Sequence, residues 1–371
     1  MLTRRGILTG GSAALALGGV GILVEARRAA ARYERYARDI RVPLTAPATD
    51  RGLVRYATLA ANGHNTQPWL FHTSDRGIVI RPDFSRRTPV VDPDDHHLYV
   101  SLGCAVENLA IAAIATGRPG AVSVTRNGDE TGASLAFISD GMAADPDTWK
   151  MFTAIPRRQS TRSAYDGRPV PSADLDRLRR SAAVDGVHPV LLTERDAIGR
   201  MRDLVIAGND AQMADRAFVA ELKRWIRFSP SAAITRGDGL YAAASGNPAL
   251  PEWIGPRAFD LAFRAPGEAD KYARQIDSSA GIVVFSAASE SPAGWIAAGR
   301  ACQRFCLTAT ALGIRTAFVN QPVEVAGLRA DVARVAGLEG RRPDLVLRFG
   351  YAPALPYSPR RPVEAVIVRD A

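Results

Sequence analysis

Two segments of this chain, 196 residues apart, repeat one pattern. Gly103-Cys104-Ala105-Val106-Glu107-Asn108-Leu109-Ala110-Ile111-Ala112-Ala113-Ile114-Ala115-Thr116-Gly117 returns as Gly299-Arg300-Ala301-Cys302-Gln303-Arg304-Phe305-Cys306-Leu307-Thr308-Ala309-Thr310-Ala311-Leu312-Gly313. Identical small residues coincide at 103/299, 105/301, 113/309, 115/311 and 117/313. Each copy reads as a helix whose last glycine sits just past its end, where a positive φ is needed. The closely spaced small residues let each helix approach a neighbour. A strand-like run precedes each copy: Gly77-Ile78-Val79-Ile80 and Gly281-Ile282-Val283-Val284. Two alanine-rich helices can match by chance, but shared end glycines and a shared preceding strand favour duplication.

The rest of the chain alternates the two periodicities. Residues 78–81, 135–138, 190–192, 282–285 and 345–348 are strand-like. Residues 95–116, 172–184, 195–224 and 293–312 carry helical spacing. That mixture predicts an α+β or α/β fold, a sheet core with helices packed on it. The stretch 39–50 is polar and Pro/Thr-rich and reads as a linker. It separates an N-terminal segment, 1–38, from a first half, 51–150, and a second half, 151–371. Residues 221–275, rich in Arg, Trp, Pro and Gly, have no counterpart in the first half. They read as a lid or binding segment, or else as a surface excursion without a role.

Charge needs placing before it is interpreted. The 371 residues carry 47 Lys plus Arg against 38 Asp plus Glu, a net +9. Residues 1–38 hold seven Arg and two Glu, a net +5, so the remainder carries only +4. Arg4-Arg5 ahead of an uncharged Gly/Ala-rich run, 7–24, resembles a twin-arginine export signal. The same run is near the lower limit for a single membrane anchor, and the two readings are compatible. The expected location is therefore the periplasm or cell envelope, reached through the twin-arginine machinery. The remaining charge is balanced, so nucleic acid is not an expected partner. A hydrophobic fraction of 47% excludes a wholly disordered chain, and three cysteines exclude a disulfide scaffold. Several long apolar runs would be needed for a multi-span membrane protein and are not present.

Three segments carry candidate chemistry. In Ala61-Asn62-Gly63-His64-Asn65-Thr66-Gln67-Pro68-Trp69, carboxamides stand at 62, 65 and 67 before a rigid Pro-Trp. Carboxamides offer both donors and acceptors, as a planar heterocycle edge requires. In Arg157-Arg158-Gln159-Ser160-Thr161-Arg162, guanidinium groups at 158 and 162 flank a hydroxyl at 160, which suits a phosphate or polyol. The tail holds Arg348-Phe349-Gly350-Tyr351-Ala352 and Pro359-Arg360-Arg361-Pro362.

Together these resemble the nitroreductase-like FMN oxidoreductase superfamily, in particular its Acg-type branch, over about residues 50–365. The resemblance implies two nitroreductase-like halves fused as a pseudo-dimer, with a central, mainly antiparallel sheet flanked by helices. It implies FMN held between the halves. Arg158, Ser160 and Arg162 match the family's Arg-x-Ser-x-Arg/Lys element. Asn65, Gln67, Pro68 and Trp69 match its Asn-x-Gln-Pro-Trp element, preceded here by Asn62, Gly63 and His64. Arg360 or Arg361 falls at the family's C-terminal phosphate contact, and Gln321 where it lines the flavin ring. Ala61-Asn62-Gly63 departs from the family's Pro-Ser-Ser, and one extra residue separates Arg162 from Tyr165. The first half lacks an Arg-x-Ser-x-Arg, so one flavin per chain is expected, in a monomer or a dimer of pseudo-dimers. The activity implied is ping-pong reduction of a small organic acceptor through flavin N5, with a small-molecule electron donor and no catalytic side chain. The alternative is a flavin-sequestering protein closed by its lid.

Other candidates are weaker. Asp92-Pro93-Asp94-Asp95-His96-His97 looks metal-like, but an aspartate capping the following helix explains it better, and no metal is expected. Cys302 and Cys306, four apart on a helix, read as buried small apolar residues. Gly18-Gly19-Val20-Gly21 has no strand before it and is not a dinucleotide loop. His64 is expected to hydrogen-bond within the pocket.

Overall fold

The structure is a computed structural model that describes residues 24–128, 130–139 and 143–368. The twin-arginine pair and the glycine cluster lie outside the described residues, as does all but Val24 of the uncharged run. The first half contains α1 (24–39), α2 (Asp50–Thr58), β1 (Trp69–Ser74), β2 (Gly77–Pro82), α3 (His96–Ala115), β3 (Gly120–Asn127), β4 (Glu130–Phe137) and α4 (Pro146–Ala154). Next come α5 (Ser172–Ser181), β5 (Val187–Leu192), α6 (Arg195–Ala214), α7 (Arg216–Trp225) and β6 (Ile226–Arg227). The segment then continues through α8 (Pro230–Arg236), β7 (Leu240–Tyr241), α9 (Gly255–Ala262) and α10 (Ala265–Asp277). The chain closes with β8 (Gly281–Ala287), α11 (Pro292–Ala311), β9 (Arg315–Phe318), α12 (Gln321–Glu324), α13 (Arg329–Ala336), β10 (Leu345–Gly350) and β11 (Ile367–Val368).

The fold is α+β. In place of one central sheet there are two larger sheets and a two-stranded pair, β6-β7. One sheet has the order β11-β1-β2-β4-β3, antiparallel except where β11 joins β1 in parallel. The other, β5-β8-β10-β9, is antiparallel throughout. The C-terminal β11 thus returns to complete the first half's sheet.

Strand period explains the packing. All seven residues of β8 are buried. Val283 and Phe285 face the main core with Leu345, Leu347 and Phe349 of β10. Ile282 and Val284 face a second core with Val346 and with Ile198, Met201 and Val205 of α6. A strand covered on both faces reads as a continuous apolar run for this reason.

The repeated helices α3 and α11 cross at the centre. By length and composition α3 could cross a membrane, yet it is almost wholly buried as a core helix. At the crossing, a Cβ on Gly103 would lie 2.0 Å from the Ile296 carbonyl oxygen, and one on Gly299 2.0 Å from that of Val100. Beside it, Gln303 Nε2 donates to Asn108 Oδ1 (2.7 Å), and Glu107 accepts from Arg300 and Arg304 (2.8 Å each). Both helices end alike. Gly117 (φ 79°) and Gly313 (φ 76°) are left-handed, and Arg118 and Ile314 each donate back to the carbonyl five residues earlier at 2.8 Å. This is the hydrogen bond of a Schellman ending.

The structure differs from the sequence expectation in three places. The helical span 195–224 breaks at Asp215, whose carboxylate accepts from Ala217 N (2.8 Å) and caps α7. Residues 24–38, set outside the fold with the leader, form most of α1, whose Tyr33 and Ala37 are buried against Ala233, Tyr241 and Ala244. Within the stretch read as a linker, Arg41 is buried and donates to Ala37 O and Ser358 O (3.0 Å each).

Candidate functional site

Asn62 Oδ1 accepts from Gln67 N (2.9 Å) and closes the loop before β1 into a tight turn. His64, Asn65 and Gln67 all have positive φ (46°, 53° and 55°). Side chains other than glycine rarely take that conformation, so tertiary contacts must hold the loop. Asn65 Nδ2 donates to Gly239 O (2.9 Å) and Pro359 O (3.1 Å). Gln67 Nε2 donates to Gly237 O (2.8 Å), and its Oε1 accepts from Arg361 N (2.9 Å). Gly239 N returns a bond to Asn65 O (3.0 Å). Between these glycines, Asp238 pairs with Arg86 and Arg227. Within the segment 221–275, residues 237–239 are therefore fastened to the loop before β1.

This fastening encloses a chamber. Its walls include Asn62, Gly63 and His64 from the loop, Ser101 and Cys104 from α3, and Phe318 and Gln321 from the second half. Leu222, Leu240, Phe263 and Arg162 also line it. A more apolar cavity lined by Phe228, Phe259 and Phe263 adjoins it on the lid side. On the other side a small polar cavity holds Arg41, Arg158, Arg162 and Arg360 together with Asn65 and Ser160. Arg162 and Leu240 belong to all three.

The four arginines differ in what they already hold. Arg360 is saturated: it donates to Thr58 O (2.5 Å), Leu59 O and Ala60 O (3.1 Å each), Asn65 Oδ1 (2.9 Å) and Pro359 O (2.8 Å). It ties the end of α2 to the tail. Arg158 donates once, to Leu59 O (3.1 Å), and its buried Nε has no partner. The Arg162 guanidinium has no hydrogen-bond partner among the described residues and is half-buried. Burial holds it below the usual arginine range. Burial lowers Arg41 to about 10 and holds Arg360 well down. Among the described residues none of the four pairs with a carboxylate. Unpaired buried cations are costly, so this geometry favours an anion.

The remaining candidates divide. Ser160 lines the polar cavity. Gln321, at the start of α12, lines the chamber, and its buried Oε1 lacks a partner among the described residues. Gln67 and Arg361 line none of these three cavities. Gln67 is spent on the lid and tail, and Arg361 donates to Gln67 O (3.2 Å) and Ala365 O (2.8 Å). His64 lies deep in the chamber wall, where burial pushes its imidazole down to about 4.

Sequence reasoning missed Arg41, Asn209, Gln212, Tyr272 and Glu324. Glu324 is raised by burial and accepts from Gln212 Nε2 (2.6 Å), with His97 Nε2 at 3.6 Å. No local motif marks these residues. The Asp/His run resolves as capping and pairing. Asp92 accepts from His97 N (2.9 Å) and Leu98 N (3.0 Å), Asp94 pairs with Arg342 (2.6 Å), and His96 Nε2 meets Asp344 Oδ1 at 2.9 Å. Among the described residues no group of three or more His, Cys, Asp or Glu could hold a metal. Cys302 and Cys306 are buried and free.

The structure is thus an α+β protein with an arginine-lined cavity beside a larger chamber. No protein-family model matches the chain. It is 28% identical over 330 residues to a protein of Mycobacterium tuberculosis, found in two strains, that bears the provisional name NAD(P)H nitroreductase. The match covers 86% of this chain and 91% of that protein. Among solved structures, the Mycobacterium smegmatis FMN-dependent nitroreductase NfnB in complex with NADPH aligns at 15% identity and a TM-score of 0.39, covering 60% of this chain and 94% of that one. A Desulfitobacterium hafniense nitroreductase with bound FMN aligns at 15% identity and a TM-score of 0.38, covering 60% and 98%.

Proposed function

We propose that this chain is an FMN-dependent oxidoreductase of the nitroreductase type, on its Acg-type branch, with the two halves forming one flavin pocket. The observation that carries the reading is the pair Arg158 and Arg162. One has an orphaned buried Nε and the other a guanidinium without a partner, beside a chamber walled by the loop before β1 and by Gln321. A phosphomonoester supplies the missing acceptors for both, and the relatives' name agrees with it.

FMN supplies two-electron redox chemistry at its ring when bound. The chain's own part is to bind, orient and exclude. Arg158, Ser160 and Arg162 would hold the phosphate. Asn62, Gly63, His64 and Gln321 would contact the ring, while Asn65, Gln67, Arg360 and Arg361 brace the loop and tail. Leu222, Leu240 and Phe263 would supply apolar contact in the chamber. A small organic acceptor and a nicotinamide donor are the substrates implied by the relatives' name.

A second reading is favoured by the fastened lid. Asn65 and Gln67 bind Gly237 and Gly239 directly, which suits a protein that sequesters flavin with little turnover. The absorbance spectrum and flavin-to-chain ratio of the purified protein test the first point. Anaerobic mixing with NADPH then separates the readings. Prompt bleaching of the yellow band supports the enzyme; an unbleached but photoreducible flavin supports sequestration; a colourless protein that takes up no FMN discards both.

Export by the twin-arginine route, with delivery to the periplasm or cell envelope, belongs to the same proposal. It rests on Arg4-Arg5 and the run that follows. Arg4→Lys with Arg5→Lys is expected to stop delivery, and unchanged delivery rules the signal out.

A further inference from the structure

Arg41 and α1 belong to no motif that suggested a site. Yet Arg41 lines the same small cavity as Arg158, Arg162 and Arg360. It is buried, stacks at 4.1 Å over the Tyr357 ring, and spends two donors on Ala37 O and Ser358 O. The helix before it grips the tail at adjacent points. Tyr33 Oη donates to Tyr357 O (2.6 Å). Tyr36 Oη donates to Arg360 O (2.5 Å) and accepts from Arg360 N (3.0 Å). Residues 33–41 thus fix the backbone of the segment that carries Arg360, and they add a fourth cation to the cavity.

We propose that Arg41 is a phosphate-binding residue and that residues 24–41 form a strap completing the anion site, so any removal of the leader must leave this strap in place. The proposal rests on the flavin reading above and adds a residue to it. Three observations combine. Arg41, Arg158 and Arg360 line one small cavity, where the Arg158 charge lowers the proton affinity of Arg41, and Arg41 and Arg158 together lower that of Arg360. No carboxylate among the described residues pairs with them. The cavity they share opens on the unpartnered Arg162. Buried guanidinium groups that repel one another without a counter-ion are stabilised by a phosphomonoester, whose second charge the clustered cations favour. Riboflavin, which lacks the phosphate, gains nothing from Arg41.

The test titrates flavin-free full-length protein with FMN and, separately, with riboflavin, followed by flavin fluorescence. In Arg41→Ala and Arg41→Gln, FMN binding is expected to weaken by about tenfold or more, the cost of one charge-assisted contact. Riboflavin binding stays as in the wild type. Tyr36→Phe, which loosens the tail without removing a charge, is expected to weaken FMN by a few-fold and to spare riboflavin. An unchanged preference for FMN in both Arg41 variants overturns the proposal. So does an equal loss for both ligands. Failure of both variants to fold also overturns it, because Arg41 is then a residue of the fold alone. Wild-type protein that binds neither flavin discards the flavin reading itself, a result distinct from any of these.

Discussion

Gly103 and Gly299, equivalent positions of the repeated helix, meet at the crossing of α3 and α11. A Cβ placed on Gly103 would come within 3.0 Å of the Gly299 Cα and 2.0 Å of the Ile296 carbonyl oxygen. The two helices meet backbone against backbone at one of the positions where the repeat is identical. Neither atom in the way is the mobile end of a side chain, so no rotamer change relieves the clash.

Gly103→Ala and Gly299→Ala are each expected to destabilise the protein by about 1–3 kcal/mol or more, the cost of overpacking a close contact. Alanine otherwise favours a helix interior over glycine by about 1 kcal/mol. Gly199→Ala in α6, where a Cβ meets nothing within 4 Å, is the control and is expected to be neutral or stabilising. Urea unfolding midpoints of the three variants check this. A stabilising Gly103→Ala would remove the close crossing from the account.

Glu107 is buried and receives Arg300 and Arg304 from the opposite helix, with side chains 29% and 31% exposed. Glu107→Gln keeps the shape and removes the charge. The two guanidinium groups can rehydrate in part, so the expected loss is about 1–3 kcal/mol, read from the unfolding midpoint. A second variant, Arg300→Gln, is expected to cost less, because Arg304 still holds the carboxylate.

His64 stays neutral in the folded protein well below its ordinary range, with its value lowered to about 4 mainly by burial. Unfolded, the imidazole takes up a proton below about pH 6.5. Its contribution is therefore present above pH 6.5 and is lost as pH falls towards 4. Comparing wild type with His64→Gln cancels the other titrating groups. On flavin-free protein the stability difference, wild type minus variant, is expected to shrink by about 1–2 kcal/mol between pH 7 and pH 5. An unchanged difference means that water in the chamber solvates the ring.

Arg158→Ala combined with Arg162→Ala is expected to release FMN. Each lost charge-assisted contact costs about 1.5–3 kcal/mol, so affinity falls by at least about a hundredfold. Flavin absorbance retained after gel filtration measures it. A double variant that stays fully yellow would falsify this placement of the phosphate.

Much of the architecture was legible in the chain. Helix-period spacing placed α3 and α11 to within a residue or two, and Gly117 and Gly313 marked their ends. An aspartate, Asp92 or Asp94, was expected to cap the helix, and Asp92 accepts from His97 N and Leu98 N in its first turn. The break at Asp215 was not legible, because helical periodicity continues through it and only the capping bond to Ala217 shows the restart. Of the motif residues, Asn62, Asn65, Arg158, Ser160, Arg162 and Arg360 line one cavity, whereas Gln67 and Arg361 do not. Their division of labour was not legible: Gln67 and Arg360 are consumed by carbonyls and amides of the lid, tail and α2, while Arg162 is left free.

The sequence by itself determined the spans of the repeated helices, their glycine ends and the strand-like runs. These depend on backbone conformation and periodicity that act over a few residues, which composition and spacing record directly. The tertiary structure alone decided which arginines are satisfied. It also decided that Arg41, just after α1, reaches the arginine-lined cavity. A guanidinium is spent or free according to the carbonyls folded against it, and those of Arg360 come from residues about 300 positions away. No local pattern encodes a partner at that distance.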